Sequence, residues 1–152
     1  LVGDVIAEAL KHIHKKSEMQ KITVIQQDEL LLAKMDARLI VQVLINLLDN
    51  AIKYTPSDSQ ITITAKKDGN MISVSVSDNG NGIADEQKSR VFDMFYTGTN
   101  KIADSRRSIG LGLSLCKSII NAHGGEITIT DNNPHGAVFT FTLPIGEVEI
   151  HE

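Results

Sequence analysis

Apolar and polar positions recur along this chain with two periods, and each change of period marks an element. Val2, Ile6, Ala9, Leu10 and Ile13 return at steps of three and four and predict a lead-in helix over about 1–16. Ile22 to Gln26 reads as a short strand, and the apolar run Leu30 to Met35 as a second one. Asp36 is placed to cap a helix whose buried sector is Ile40, Val43, Leu44, Leu47, Leu48, Ala51 and Ile52, ending near Tyr54 before Thr55-Pro56. Ile61, Ile63 and Ala65 alternate with threonines, and Ile72, Val74 and Val76 with serines, across the turn Asp68-Gly69-Asn70. That is a hairpin with each strand apolar on one face. A further helix is expected from about Leu113 to Ala122, ended by His123-Gly124-Gly125 with a glycine for the left-handed cap. Ile127 and Ile129, then Val138 to Leu143, supply the last strands. One-sided strands with helices between them predict an α/β fold, a two-layer sandwich with helices on one face and the other largely open.

Bulk properties narrow the class. At 152 residues the chain is long enough for one domain with a real core, and 41% hydrophobic with 22% charged residues describes a globular protein. A net charge of −4 argues against a nucleic-acid surface as its main business. No apolar run is long enough to span a bilayer, and no secretory leader is seen. The single Cys116 cannot form an internal disulfide and sits in a helical apolar pattern, as a buried thiol would. The first helix starts without an evident cap, as in a fragment cut from a longer protein. The short acidic segment 145–152 reads as a loose tail.

The chemistry begins in Asn46-Leu-Leu-Asp-Asn50-Ala-Ile-Lys53-Tyr54. At about 100° per residue, Asn46, Asn50 and Lys53 share a narrow arc of one helix, flanked by Gln42 and Asp49. Asparagine is a poor helix former, and a merely solvated face would favour Glu, Lys or Gln. Amide oxygens can ligate a hard cation, and a lysine one turn on can meet phosphate oxygens. An ordinary amphipathic helix is the competing reading of this segment alone.

Two glycine-containing stretches add to it. In Asp78-Asn79-Gly80-Asn81-Gly82-Ile83, glycines permit close backbone approach to a ligand. Asp78 at a strand end could accept a hydrogen bond from an exocyclic amino group while Ile83 packs on a ring. A solvated turn is the plainer alternative. Gly110-Leu111-Gly112-Leu113 is expected to open a helix, where backbone N–H groups make an anion site. It is neither a Walker A loop nor a Rossmann fingerprint. Between the two lie Phe92-Asp93-Met94-Phe95 and a polar stretch, 96–109, with Lys101, Arg106 and Arg107, a candidate lid whose arginines could reach phosphate.

Taken in order, these segments resemble the ATP-binding catalytic domain of sensor histidine kinases, within the gyrase, Hsp90 and MutL ATPase superfamily. Asn46 to Tyr54 is similar to the N box, Asp78 to Gly82 to the G1 box, Phe92 to Phe95 to the F box and Gly110 to Gly112 to the G2 box, and F-T-F-T-L-P to the final strand. The resemblance runs from about Asp36 to Pro144. It implies the Bergerat-type, left-handed β-α-β sandwich with a mixed sheet of about five strands and an ATP lid. It further implies Mg²⁺-ATP as the bound species. By the same resemblance Asn50 ligates Mg²⁺ with Asn46 beside it, Lys53 contacts phosphate, and Asn46 and Lys53 are the candidate catalytic residues. Tyr54 lines the adenosine site, Asp78 reads the adenine amino group with Gly80, Gly82 and Ile83 beside the nucleotide, and Gly110, Leu111, Gly112 and Leu113 form the phosphate side. The partners implied are a phosphoacceptor dimerisation domain of the same protein and, through it, a response regulator. The chain itself is expected to be a monomeric cytoplasmic domain of a membrane-anchored parent. The lid and the helix after it resemble the potassium-responsive Kdp-type branch.

The chain departs from the family pattern in four places. Met94 stands where a basic residue is common, Ser108-Ile109 precede Gly110 where an extra glycine is common, and Ala137 follows Gly136 where Ser or Thr is common. None of His12, His14, His123, His135 or His151 has the H-E-x-x-x-P context of a phosphoacceptor, so the acceptor is expected on another domain. Competing functions are a superfamily ATPase, a serine kinase of a protein antagonist and a non-catalytic nucleotide-binding module. The first is poorly served by Asn46, where hydrolytic relatives generally hold a glutamate.

Overall fold

Five strands form one mixed sheet in the order β1-β2-β3-β5-β4. They are β1 (Lys21–Gln26), β2 (Gln60–Asp68), β3 (Met71–Asp78), β4 (Ile127–Asp131) and β5 (Ala137–Pro144), accompanied by helices α1 (Val2–Ile13), α2 (Ala37–Lys53) and α3 (Arg107–Ala122). The computed structural model describes residues 1–13, 21–26, 31–53, 59–80, 107–132 and 135–146, with backbone only for Lys53 and 107–111. β1 and β2 are parallel and α2 lies in the connection between them, while every other neighbouring pair is antiparallel. This is the expected α/β architecture with a mixed five-stranded sheet.

The period-two pattern divides the sheet as its chemistry demands. Ile63 pairs with Val76, and Val74 and Val76 pair with Phe141 and Phe139, so one face is a continuous apolar surface. It packs against Val43, Leu44, Leu47 and Leu48 of α2 and Cys116 and Ile120 of α3, all buried, with α1 adding Val5, Ile6 and Ala9. The opposite face carries Thr62, Thr64, Ser75, Ser77, Thr140 and Thr142, all part-exposed, with Ser75 and Thr140 hydroxyls 2.9 Å apart.

The helix ends are capped by chemistry partly visible in sequence. Asp36 Oδ1 accepts from the N–H groups of Arg38 and Leu39 at 3.1 and 3.4 Å, the expected N-cap of α2. At the other end of α3, Gly124 has φ 81°. Its N–H donates to Asn121 O and that of Gly125 to Ile120 O, both at 3.0 Å, a Schellman ending. The cap of α1 is a long-range one, Val2 N–H to Leu31 O at 2.9 Å, which local sequence could not reveal. Residues 14–16, expected in that helix, lie outside the described residues.

Two expectations need correction. The run read as a second strand makes no strand over 31–35; Ala33 alone forms a bridge, to Ile145, before Asp36 turns the chain into α2. Its flanking bonds, Lys34 N–H to Pro144 O at 2.8 Å and Gly146 N–H to Leu32 O at 2.9 Å, also fasten Ile145 and Gly146, the first two residues of the supposed loose tail. The second concerns α3, which begins at Arg107 and not near Leu113. Residues 107–109 of the expected lid and the Gly110–Gly112 segment are therefore helical. Two glycines weaken a helix by about 1 kcal/mol each but do not stop one whose later turns are anchored in the core.

Candidate functional site

Asp78 is the last residue of β3 and continues the alternation Val74, Val76, Asp78, so its carboxylate lies on the helix-covered face of the sheet. It is 7% exposed. One carboxylate oxygen, Oδ1, accepts from Gly80 N–H at 2.9 Å, closing an Asx turn, and from Ala137 N–H of β5 at 3.3 Å. Among the described residues Oδ2 takes no hydrogen bond. A ligand donor reaching this end of the strand would therefore meet a carboxylate already fixed in orientation, with one oxygen to spare.

The loop after Asp78 is held as firmly. The main-chain oxygen of Asp78 accepts from Asn132 Nδ2 at 2.7 Å, Gly80 O lies 2.8 Å from His135 Nδ1, and Asn79 Oδ1 accepts from Gln60 N–H at 2.8 Å. Gly136, with φ 117°, lets β5 start so close that a Cβ there would sit 1.9 Å from Asp78 O. Asn132, His135 and Gly136 are contributions that the sequence reading missed. The run Asn132-Asn-Pro-His-Gly136 looks like an ordinary turn, and only the pairing of Ser77 with Val138 brings it beside Asp78. The backbone N–H of Ala137 serves the site although its side chain lacks the hydroxyl common at that position.

On α2 the amides behave differently. Asn50 is 9% exposed and makes no hydrogen bond among the described residues. Its amide oxygen is a hard donor suited to Mg²⁺, whereas the one fully buried side-chain polar atom left without a partner among the described residues is Gln26 Nε2, on β1. Asn46 is spoken for on both sides: Gln42 Nε2 donates to its Oδ1 at 2.9 Å, and its Nδ2 donates to Gly112 O of α3 at 3.4 Å. The N-terminal half of α3 and the polar arc of α2, separate segments in sequence, thus meet at Asn46 and Gly112.

Behind Asn46 sits Cys116. Burial pushes its thiol from 9.0 up to about 12, with smaller opposing contributions from the Asn46 side chain and from backbone hydrogen bonding. Its Sγ lies 3.8 Å from Val43 O. It is a packing residue, as its pattern predicted. Leu113 is likewise buried in the core. Gly110, Leu111 and Arg107 are placed as backbone in α3, and Lys53 ends α2. Tyr54, Gly82, Ile83 and Arg106, also expected in the site, lie outside the described residues, as do the F box and residues 96–106. No group of three or more His, Cys, Asp or Glu side chains among the described residues could hold a metal. No helix among them is long and apolar enough to cross a membrane.

Known proteins share this arrangement. Residues 35–147 match the family described as histidine kinase-, DNA gyrase B- and HSP90-like ATPase. Over 144 residues the chain is 41% identical to the sensor protein KdpD of Clostridium acetobutylicum, a match covering 95% of this chain and 16% of that protein. The nucleotide-free catalytic domain of the histidine kinase ThkA superposes with a TM-score of 0.78 at 32% identity, covering 95% of this chain and 93% of that one. ThkA solved with the response regulator protein TrrA gives a TM-score of 0.76 at 32% identity, over 95% of this chain and 40% of that one.

Proposed function

Because the chain belongs to the histidine kinase-, DNA gyrase B- and HSP90-like ATPase family, as a histidine kinase ATP-binding domain, we propose that it binds Mg²⁺-ATP and donates the γ-phosphoryl group to a histidine on a separate phosphoacceptor domain. The observation that carries this reading is the state of Asp78, a buried carboxylate with one oxygen fixed by two backbone N–H groups and the other without a hydrogen bond among the described residues. A carboxylate so held can accept from the adenine amino group and would reject a base presenting a carbonyl there.

In this proposal Asp78 and the Gly80 loop hold the base. Asn50 offers its amide oxygen to Mg²⁺, and the bound cation would offset charge on the phosphate oxygens. Asn46 and Lys53 stand at the phosphates, with Asn46 also linking α2 to α3. Tyr54, Gly82 and Ile83 would line the nucleoside, and Arg106, Arg107 and the Gly110–Leu113 segment would close the phosphate side. The acceptor imidazole nitrogen forms a bond to the γ-phosphorus as the bond to the ADP oxygen breaks. The chain's task is positioning and charge neutralisation, the main requirements of phosphoryl transfer. With Asn46 at the position where hydrolytic relatives generally hold a glutamate, water activation from that position is lost, so the domain alone should turn ATP over slowly.

The chain spans 16% of the KdpD relative, so signal, acceptor and downstream partner belong to the proposal for the whole protein. ThkA is known in complex with a response regulator, which supports a response regulator as the downstream partner here. The KdpD likeness favours a potassium or osmotic signal and a membrane-anchored parent with this domain in the cytoplasm. The test is to mix the chain with a histidine-bearing dimerisation domain and γ-labelled ATP. Label on the partner that is acid-labile and base-stable is expected. Label that survives acid would instead identify a serine acceptor, and rapid phosphate release without a partner would favour the ATPase reading.

A further inference from the structure

Every residue so far assigned to the base lies in a recognisable motif on α2, β3 or the loop after β3. The contacts that hold this end of β3 come from elsewhere, from the turn between β4 and β5. Asn132 Nδ2 donates to the carbonyl oxygen of Asp78 at 2.7 Å. His135 Nδ1 stands 2.8 Å from the carbonyl oxygen of Gly80. A carbonyl oxygen can only accept, so this contact requires the proton on Nδ1 of His135. The turn is itself closed by Asn132 N–H to Gly136 O at 2.9 Å, and Ala137, next in the chain, gives its N–H to Asp78 Oδ1 at 3.3 Å.

Asp78 and Gly80 are thus gripped at both ends of a three-residue span by one short turn. If either grip is lost, Gly80 can shift, and its N–H, the shorter of the two bonds that fix Asp78 Oδ1, shifts with it, leaving the carboxylate held by Ala137 N–H alone and Oδ2 free to turn. Backbone packing against Gly136 restrains the Asp78 end, but glycine at 80 offers no side chain to wedge the other end of the loop. Opposed to this, Gln60 N–H holds only the Asn79 side chain.

We infer that Asn132 and His135 are positioning residues for base selection, setting the direction in which Asp78 presents its free oxygen and so the preference for a base with an amino group over one with a carbonyl. The inference rests on the nucleotide-site reading and deepens it. Both residues bond the Asp78–Gly80 segment and neither lies on α2 or α3, where the phosphates are proposed to sit, so their loss should alter which base binds and leave dependence on Mg²⁺ as it was.

The experiment measures dissociation constants for ATP and inosine triphosphate, with Mg²⁺, for the wild-type chain and for His135→Ala, His135→Asn, Asn132→Asp and Asp78→Asn. Melting curves confirm that each is folded. Asparagine places an amide N–H near the position of Nδ1, and aspartate at 132 keeps the shape but removes the donor. The wild type should prefer ATP. His135→Ala and Asn132→Asp should each reduce the preference roughly threefold to tenfold, the effect of one hydrogen bond, and His135→Asn should restore most of it. A purely structural role would lower the melting temperature and leave the preference unchanged. An unchanged preference in folded His135→Ala and Asn132→Asp overturns the inference, as does failure of His135→Asn to exceed His135→Ala for the part given to His135. If His135→Ala does not fold, Asn132→Asp decides. Should the wild type show no preference, or Asp78→Asn keep it, the nucleotide-site reading itself fails, an outcome distinct from the others.

Discussion

The two ends of the proposed site are built on opposite principles. At the base end, Asp78 is gripped by β5, by its own Asx turn and by the β4–β5 turn, and only one carboxylate oxygen is uncommitted. At the phosphate end, Asn50 is buried on α2 without a hydrogen-bond partner among the described residues, and Asn46 is held by Gln42 and Gly112. The first arrangement is complete before a ligand arrives. In the second, Asn46 is committed and Asn50 keeps its amide uncommitted among the described residues. Preorganisation reduces the cost of binding and sharpens selection, whereas an uncommitted amide oxygen is a donor that a cation can take up. In the proposed reading, the same small domain would select one part of its ligand with a fixed group and hold the other with an uncommitted one.

The contrast can be broken most severely at Gly136. In Gly136→Ala the new methyl would meet Asp78 O at 1.9 Å with φ near 117°, so a loss of about 3 kcal/mol or more, or failure to fold, is expected in a denaturant titration. Asp78→Asn is next. Its oxygen can still accept from Gly80, so stability should change by less than about 1 kcal/mol. The amide would now face the adenine amine with a donor, and ATP should bind on the order of 100-fold more weakly by calorimetry. Asn50→Ala sharpens the other half: Mg²⁺-dependent ATP affinity should fall about tenfold, while the melting temperature holds, because the Asn50 side chain makes no hydrogen bond among the described residues to lose and alanine suits a helix.

Smaller effects lie away from both ends. His123 Nε2 accepts from Asp36 N–H at 3.0 Å and its Nδ1 lies 2.7 Å from Ile119 O, so it ties the start of α2 to the end of α3. His123→Ala should cost about 1 kcal/mol of stability with base preference intact. Cys116 should be silent to thiol reagents in the native chain at pH 8 and react on unfolding. Its folded thiol keeps its proton up to about pH 12 against an ordinary 9.0. That contributes stability present in full below pH 9 and lost as pH climbs toward 12, a decline that Cys116→Ala should lack.

How much of this was legible in the chain depends on the range of the interactions. The helices and both hairpin strands followed from local periodicity, and Asp36 and Gly124 from local cap chemistry. Asn50 stood out because asparagine suits a solvated helix face poorly, whereas Asp78 looked like part of an ordinary turn until the motifs were taken in order. What could not be read was set by register. Ala33 pairs with Ile145 and Val2 with Leu31 across the fold, and the grip of Asn132 and His135 on the Asp78 loop exists only because β5 lies beside β3. The start of α3 was misplaced because two glycines look like a loop, while the helix is anchored further along by Cys116 and Ile120.

The central claim is that Asp78 and Asn50 are the two ends of one nucleotide site, one selecting the base and one needing the metal. It is tested most directly by titrating ATP and inosine triphosphate, each with and without Mg²⁺, into the wild-type chain, Asp78→Asn and Asn50→Ala. The account predicts that Asp78→Asn loses base preference but keeps its dependence on Mg²⁺, and that Asn50→Ala does the reverse. Wild-type binding that is indifferent to both base and metal, or variants that lose both properties together while remaining folded, would contradict it.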